Sequence, residues 1–145
     1  MSRNEYTGRA IKIAVDGKVT EVADVPLRRI GLGGLLFGGN SLVELVRPVG
    51  LEPYNAIHGF YPRLIMLVDE EGLLKDLESN LLAGVLYGAM THGHPICGDA
   101  YIIAENLVPD DDDNDLLEPD FEGLPPDVTT GTVFGLIGRV VAGGA

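Results

Sequence analysis

The sequence predicts an α+β fold: a mixed or antiparallel sheet of about five strands with one main helix, at about residues 81–90, packed on it. Three stretches predict this class. Arg9–Val22 alternates apolar and polar residues around Asp16-Gly17, a pattern typical of a β-hairpin. Leu64–Val68 is a run of five apolar residues, as in a central strand buried on both faces. Leu81–Met90 carries apolar residues at helical spacing.

The N-terminal hairpin comes first along the chain. Arg9–Val15 alternates Ile11, Ile13 and Val15 with smaller or polar residues, which predicts a half-buried strand. Asp and Gly both tolerate positive φ, so Asp16-Gly17 predicts a two-residue turn. Lys18–Val22 is then the partner strand.

The next stretch is harder to assign. Pro26–Phe37 fits a broken helix or a flexible connection, because each Gly in it weakens a helix by about 1 kcal/mol relative to Ala. Ser41–Val49 is richer in β-branched residues and predicts a strand that ends at Pro48. Gly50–Pro62 is predicted to be a loop whose aromatic residues pack down or line a pocket.

The middle of the chain has clear boundaries. Asp69–Gly72 predicts a turn in which glycine supplies the positive φ. Ser79 or Asn80 is predicted to cap the main helix. Thr91–Gly98 is predicted to be a loop, and Asp99–Ala104 the next strand.

Charge divides the chain into three parts. Residues 1–109 hold 13 acids and 9 bases, whereas residues 110–145 hold 9 acids and 1 base. We therefore predict a single α+β domain over 1–109, an acidic, Pro-containing loop or linker over 110–127, and a strand or helix over 128–145 that packs back on the domain. The Val, Thr and Ile content of Val128–Val141 favours a strand.

Composition narrows the function classes. The net charge of −12 argues against direct nucleic-acid binding, which needs a basic surface. Neither a leader peptide nor an apolar run of about 20 residues is evident, which predicts a protein that does not enter a membrane. A single Cys fits a reducing cytoplasm. The sequence leaves open whether the protein forms a homo-oligomer.

Three motifs resemble a family of small proteins, described as a domain of unknown function, encoded by phages of actinobacteria, other phages and plasmids. They are Arg9–Gly17, with its Arg-Ala-Ile and Asp-Gly turn; Leu67–Gly88, with its Asp-Glu-x-Gly turn, Asn-initiated helix and Leu-Tyr-Gly; and Pro95–Ile103, with Pro-Ile-x-Gly-Asp before a strand. The resemblance spans about residues 9–105.

The resemblance implies a setting: a non-catalytic phage or mobile-element accessory protein in a bacterial cytoplasm. Such a protein would bind a host protein or a small ligand, with interference in host defence as one role. The family supplies no catalytic residues to transfer.

The predicted contact surface consists of two loops, His58–Tyr61 and Thr91–Asp99, because their residues can bond or stack with a ligand. The residues concerned are His58, Phe60, Tyr61, His92, His94 and Asp99.

The residues of the Thr91–Asp99 loop also suit metal binding or thiol catalysis. His92, His94 and Cys97 offer nitrogen and sulfur ligands for zinc, although their spacing matches no standard zinc motif. A small metal- or thiol-dependent hydrolase is therefore the alternative function, with Cys97 paired to His58 or His92 in the thiol version. A loop that merely connects the helix to the strand is the simpler interpretation. We predict no cofactor.

The acidic segment has two interpretations beyond a solvated loop. Counted from Asp111, it places carboxylates at calcium-loop positions, but Leu116 occupies the place that requires Gly. Closely spaced carboxylates could also imitate part of a phosphate backbone and occupy a basic groove on a protein that binds DNA. The acids concerned are Asp110, Asp111, Asp112, Asp113 and Asp115.

Overall fold

The computed structural model describes residues 5–30, 34–37, 41–57, 62–69, 77–88, 96–109 and 116–144. Within these ranges, seven strands form one antiparallel sheet in sequence order. They are β1 (Glu5–Ile13), β2 (Val19–Ile30), β3 (Gly34–Phe37), β4 (Ser41–Val46), β5 (Arg63–Asp69), β6 (Ala100–Pro109) and β7 (Leu117–Glu122).

The sheet closes on itself. Strand β1 pairs with β2 along one edge and with the beginning of β6 along the other, where Ile11 lies opposite Ile102. Because every intermediate strand pairs with the next, β1 to β6 form a closed barrel. The far half of β6 pairs instead with β7, from Ala104↔Glu122 to Pro109↔Leu117. Strands β6 and β7 therefore extend from the barrel as a two-stranded ribbon.

Closure explains why β5 is buried on both faces. Its residues alternate between two separate apolar clusters: Leu64, Met66 and Val68 belong to the larger one, whereas Ile65 and Leu67 belong to the smaller. The smaller cluster consists of sheet residues alone, and it is buried because it fills the barrel interior. The prediction from the LIMLV run is confirmed.

Helical segments cover the outside of the barrel. They are a 3₁₀ turn (Val49–Leu51), α1 (Glu52–Ile57), α2 (Leu81–Tyr87) and α3 (Thr130–Arg139), which continues as a π-helical turn (Val140–Gly144). Leu51, Tyr54, Leu86, Val133 and Ile137 bring these segments into the larger cluster. None of the helices in the described part of the chain is long and apolar enough to cross a membrane.

The α+β class and the antiparallel sheet are confirmed. The predicted main helix is α2, but the longest helix in the described ranges is α3. The strand favoured for Val128–Val141 is therefore wrong. Thr129 starts α3 with a capping box to Thr132. No atom outside the helix's own backbone would lie within 4 Å of a Cβ at Gly135 or Gly138, so these glycines face open space and only lower helix propensity. Burial of Val133 and Ile137 outweighs that loss.

Three further assignments need correction. The acidic 110–127 segment is not loop throughout, because Leu117–Glu122 is strand β7. The loop predicted over Gly50–Pro62 contains α1, where the Asn55 side chain exchanges two hydrogen bonds with the backbone of Leu64 (2.7 and 3.3 Å). Within Pro26–Phe37 the described residues are strand, not broken helix.

The first hairpin is confirmed, but its loop has three residues. Ala14 N–H donates to the Lys18 carbonyl (2.9 Å), and Gly17 N–H donates to the Ala14 carbonyl (3.0 Å). Gly17 has a φ of 90°, as a type I turn followed by a glycine bulge requires. The Asp16 side chain accepts from Lys18 N–H (3.0 Å) instead of occupying a second positive-φ position.

Arg9 fastens the C-terminal segment to the barrel. It lies where the β1–β2 register shifts, and its guanidinium donates to three carbonyls: those of Leu124 (3.2 Å), Pro125 (3.0 Å) and Val128 (2.6 Å). Its Nε also donates to Glu21 (2.8 Å). The forked guanidinium thus holds the chain that leads into α3.

Candidate ligand site at the barrel mouth

A cavity of about 430 Å³ lies at one mouth of the barrel. The strand register explains its position, because Val43 of β4 lies opposite Asp69 of β5, and Leu67 of β5 lies opposite Tyr101 of β6. The size is in the usual range for small-ligand sites, and barrel mouths are common places for them. The described residues that line it are Val15, Val43, Asp69, Leu77, Glu78, Gly98, Asp99 and Tyr101.

Asp99 ties the cavity wall to the first hairpin. Its Oδ1 accepts a hydrogen bond from Val15 N–H (3.1 Å), and its Oδ2 lies 3.5 Å from the Lys12 ammonium. The hairpin loop is thereby held beside the start of β6. One carboxylate positions two parts of the wall and contributes its own charge to the cavity.

Gly98 lets the opposite wall approach closely. Gly98 N–H donates to the Glu78 carbonyl (2.8 Å), and Ser79 and Cys97 form an isolated antiparallel bridge. Gly98 has a φ of 86°, and a Cβ there would come within 2.9 Å of Leu77 Cδ1. Glycine therefore satisfies both the backbone conformation and the contact that places Leu77 and Glu78 on the cavity wall.

The Asn80 side chain links the segments that surround the cavity wall. Its Oδ1 caps α2 by accepting from Ala83 N–H (3.1 Å), and its Nδ2 donates to the carbonyls of Ile13 (2.8 Å) and Gly98 (2.9 Å). Its own N–H donates to the Ile96 carbonyl (2.7 Å). A single buried amide thus joins β1, α2 and the segment before β6, and Asn80 is confirmed as the cap of the predicted helix.

Acidic groups dominate the polar part of the described cavity lining. Asp69, Glu78 and Asp99 are carboxylates, and the described lining includes no Lys or Arg. Burial raises the pKa of the Tyr101 hydroxyl above its usual value, Lys12 lowers it and Asp99 raises it. Within the described ranges, no three His, Cys, Asp or Glu side chains are grouped so that they could hold a metal ion.

No family model, curated protein or solved structure matches this chain. The resemblance to the phage and plasmid proteins therefore stays a prediction. What the cavity does has to be inferred from its own residues.

Among the predicted contact residues, the structure places Asp99 in the cavity wall. Cys97 of the predicted zinc set is buried beside it. His58, Phe60, Tyr61, His92 and His94 lie outside the described residues, as do Asp110, Asp111, Asp112, Asp113 and Asp115. The zinc and calcium interpretations thus stay predictions.

Sequence reasoning missed most of the cavity lining. Val43, Asp69, Glu78 and Tyr101 come from separate parts of the chain, and only the pairing of β4, β5 and β6 brings them to one mouth. The available signal was Gly98 followed by Asp99, because a glycine next to an acidic residue is typical of a constrained turn.

The opposite mouth carries a network of ion pairs. Glu105 is buried on β6, and its Oε1 contacts Arg47 Nη1 and lies 3.7 Å from Arg63 Nε. Arg63 also lies 3.5 Å from Glu52 of α1. Acids and bases alternate in this network, so opposite charges compensate each other at that end.

A second cavity, of about 480 Å³, lies between the ribbon and the segment after β7. Arg9 is among its lining residues, together with Leu124 and Pro125. The guanidinium of Arg9 already donates to the backbone of that segment, so its charge serves to fasten the chain.

The ribbon protects its own edges. Leu107 N–H donates to the Asn106 side chain (2.9 Å), and Phe121 N–H donates to the Asp120 side chain (2.9 Å). Pro119, opposite Leu107, has no N–H to offer. Side chains thus occupy one backbone donor on each strand of the ribbon, and these donors are not open to an added strand.

Proposed function

We propose that this chain is a non-catalytic binding protein that holds a small ligand in the barrel mouth. The cavity of about 430 Å³ is the observation that carries this proposal. Its walls combine aliphatic side chains (Val15, Val43 and Leu77) with a few polar groups. This is the usual composition of a ligand site, in which apolar surface gives affinity and a few polar groups give orientation.

The framework of the site also fits a binding role. Asp99 is engaged with Val15 and Lys12, and Asn80 donates to two buried carbonyls. Walls held by several hydrogen bonds are preorganised, which lowers the entropic cost of binding a ligand.

The setting of this activity rests on the sequence resemblance. We place the protein among the accessory proteins of phages or other mobile elements, acting in the bacterial cytoplasm on a host metabolite or a signal of host defence. The motifs at Arg9–Gly17, Leu67–Gly88 and Pro95–Ile103 support this setting.

Two matched substitutions test the site. Leu77 lies at the cavity, whereas Leu107 lies on the ribbon, and both are 37% exposed. Tagged wild-type protein and the Leu77→Trp and Leu107→Trp variants are recovered from bacterial lysate, and small molecules released by denaturation are identified by mass spectrometry. We expect a compound with wild type and Leu107→Trp that is lost with Leu77→Trp, because the larger side chain fills the mouth. Equal recovery with all three proteins would contradict the proposal.

The ribbon supports a second candidate function. It is followed in sequence by the acidic run 110–115, and a side chain occupies one backbone donor on each of its strands, which favours recognition by charge over strand pairing. A basic groove on a host protein is the complementary surface. Replacing Asp110, Asp111, Asp112, Asp113 and Asp115 with Asn should abolish capture of such a partner at low salt. Unchanged capture would remove this candidate.

A further inference from the structure

We infer that the ligand of the barrel mouth is a small organic ammonium ion, a protonated amine attached to an apolar group. This inference rests on the proposed function and specifies the chemistry of its ligand. It follows from three features of the cavity: the sign of its charge, the spread of its carboxylates and the apolar surface between them.

The charge of the lining favours a cation. Asp69, Glu78 and Asp99 come from three different segments and border one cavity. Lys12 contacts Asp99 at 3.5 Å and offsets part of its charge, so the described lining together with Lys12 holds three acids and one base. A cleft with walls of low dielectric constant concentrates the field of such groups and raises the local concentration of cations.

The spread of the carboxylates favours an extended cation over a metal ion. A metal ion needs several donors that converge within about 2.0–2.6 Å of one point. Asp69, Glu78 and Asp99 share the cavity, yet the described residues contain no group of three acidic, His or Cys side chains close enough for that geometry. An ammonium group needs only one or two charged acceptors, and its carbon substituent can occupy the rest of the space.

The remaining surface suits that substituent. Val15, Val43 and Leu77 supply aliphatic contacts, and the half-buried Tyr101 supplies a ring. An aromatic face attracts cations, and aliphatic walls exclude water from an apolar substituent. A ligand with a charged head and an apolar body is therefore complementary to the whole cavity, whereas an inorganic cation would leave the apolar walls unused.

Three probes of one shape test the inference. Isothermal titration calorimetry of the full chain compares phenethylammonium, phenethyl alcohol and phenylacetate, which are cationic, neutral and anionic. We expect phenethylammonium to bind about tenfold or more tightly than the alcohol, because a charge-assisted hydrogen bond is stronger than a neutral one; tenfold corresponds to about 1.4 kcal/mol. We expect phenylacetate not to bind. Added salt should weaken binding of the ammonium, since partly exposed charges are screened.

A pair of variants localises the effect. Glu78 is exposed at the cavity, and Glu44 is exposed on β4 outside it, so neither substitution removes a buried group. Glu78→Gln should weaken phenethylammonium binding by about three- to tenfold, as the loss of one partly screened charge contact predicts. Glu44→Gln should leave it unchanged.

The outcomes separate this inference from the proposed function. Equal binding of all three probes, or equal loss in both variants, would overturn the ammonium ligand while leaving the cavity as a ligand site. Absence of phenethylammonium binding, with a neutral or anionic compound recovered from lysate through a Leu77-dependent site, would also overturn it and would support the proposed function. If no recovered compound depends on Leu77, the proposed function itself fails.

Discussion

Asn80→Asp tests whether the buried amide joins three elements or only caps a helix. Aspartate is as good an N-cap as asparagine, so the hydrogen bond from Ala83 N–H is kept. The substitution replaces the Nδ2 donor with an oxygen that faces the carbonyls of Ile13 and Gly98, which now lie 2.8 and 2.9 Å from the amide nitrogen. A pure cap would tolerate the change, whereas an amide that donates to both carbonyls would not.

The expected loss is large. Each carbonyl loses a buried donor and faces a carboxylate oxygen instead, at a cost of about 1–3 kcal/mol, so the free energy of unfolding should fall by about 2–6 kcal/mol. With an m value of about 2 kcal/mol/M, the urea midpoint should fall by about 1–3 M. That is a substantial part of the stability of an ordinary domain, which is about 5–15 kcal/mol.

Urea unfolding followed by far-UV circular dichroism is the assay, with Thr129→Asp as the matched control. Thr129 caps α3 through its side chain and is exposed, so an acid there can still cap and buries no charge. We expect a change within about 1 kcal/mol for the control. A wild-type midpoint for Asn80→Asp would refute the bridging role and leave Asn80 as a cap only.

Three other predictions concern the ends of the fold and its ionisable groups. Arg9→Lys cannot reproduce the forked donation, so hydrogen exchange in α3 should accelerate while β5 stays protected; equal acceleration in both would contradict this. Glu105→Gln removes the charge that Arg63 faces, and calorimetry should show a loss of about 3–5 kcal/mol, whereas an unchanged melting temperature would refute the buried ion pair. Burial raises the pKa of Tyr54 and of Tyr101, so the folded state keeps these protons longer and the free energy of unfolding should fall as pH rises above about 10. Replacing both tyrosines with Phe should flatten this decline, and an equally steep decline would contradict it.

Local patterns in the sequence were enough for the elements that organise the chain. The alternation in Arg9–Val15, the apolar run Leu64–Val68 and the Asn80 cap each depend on neighbouring residues, and the structure contains all three features. Hydrophobic period and capping chemistry act over a few positions, so one sequence can reveal them.

The long-range pairing of strands could not be predicted from such local patterns. The β1–β6 contact that closes the barrel joins residues about 90 positions apart, from Ile11 to Ile102. Strand β7 was hidden in an acidic, proline-containing segment because its pairing with β6, not its own propensity, makes it a strand. The glycines of α3 weakened the helical pattern, and burial of Val133 and Ile137 restored it.

The cavity was even harder to predict from the sequence, because its chemistry depends on that pairing. Asp69 was part of a predicted turn, Glu78 belonged to no predicted element, and Tyr101 lay in a predicted strand. Only Asp99 was singled out beforehand, on the constrained turn beside Gly98. Functional groups that gather from several strands become visible only when the register is known.

The most direct test of the binding site is an amide NMR map of the full chain with the compound recovered from lysate. The central claim predicts shifts at Leu77, Glu78 and Gly98 to Tyr101, with little change at Arg9 and Leu124 beside the second cavity. Shifts confined to Arg9, Leu124 and the ribbon, with the barrel mouth unaffected, would contradict it.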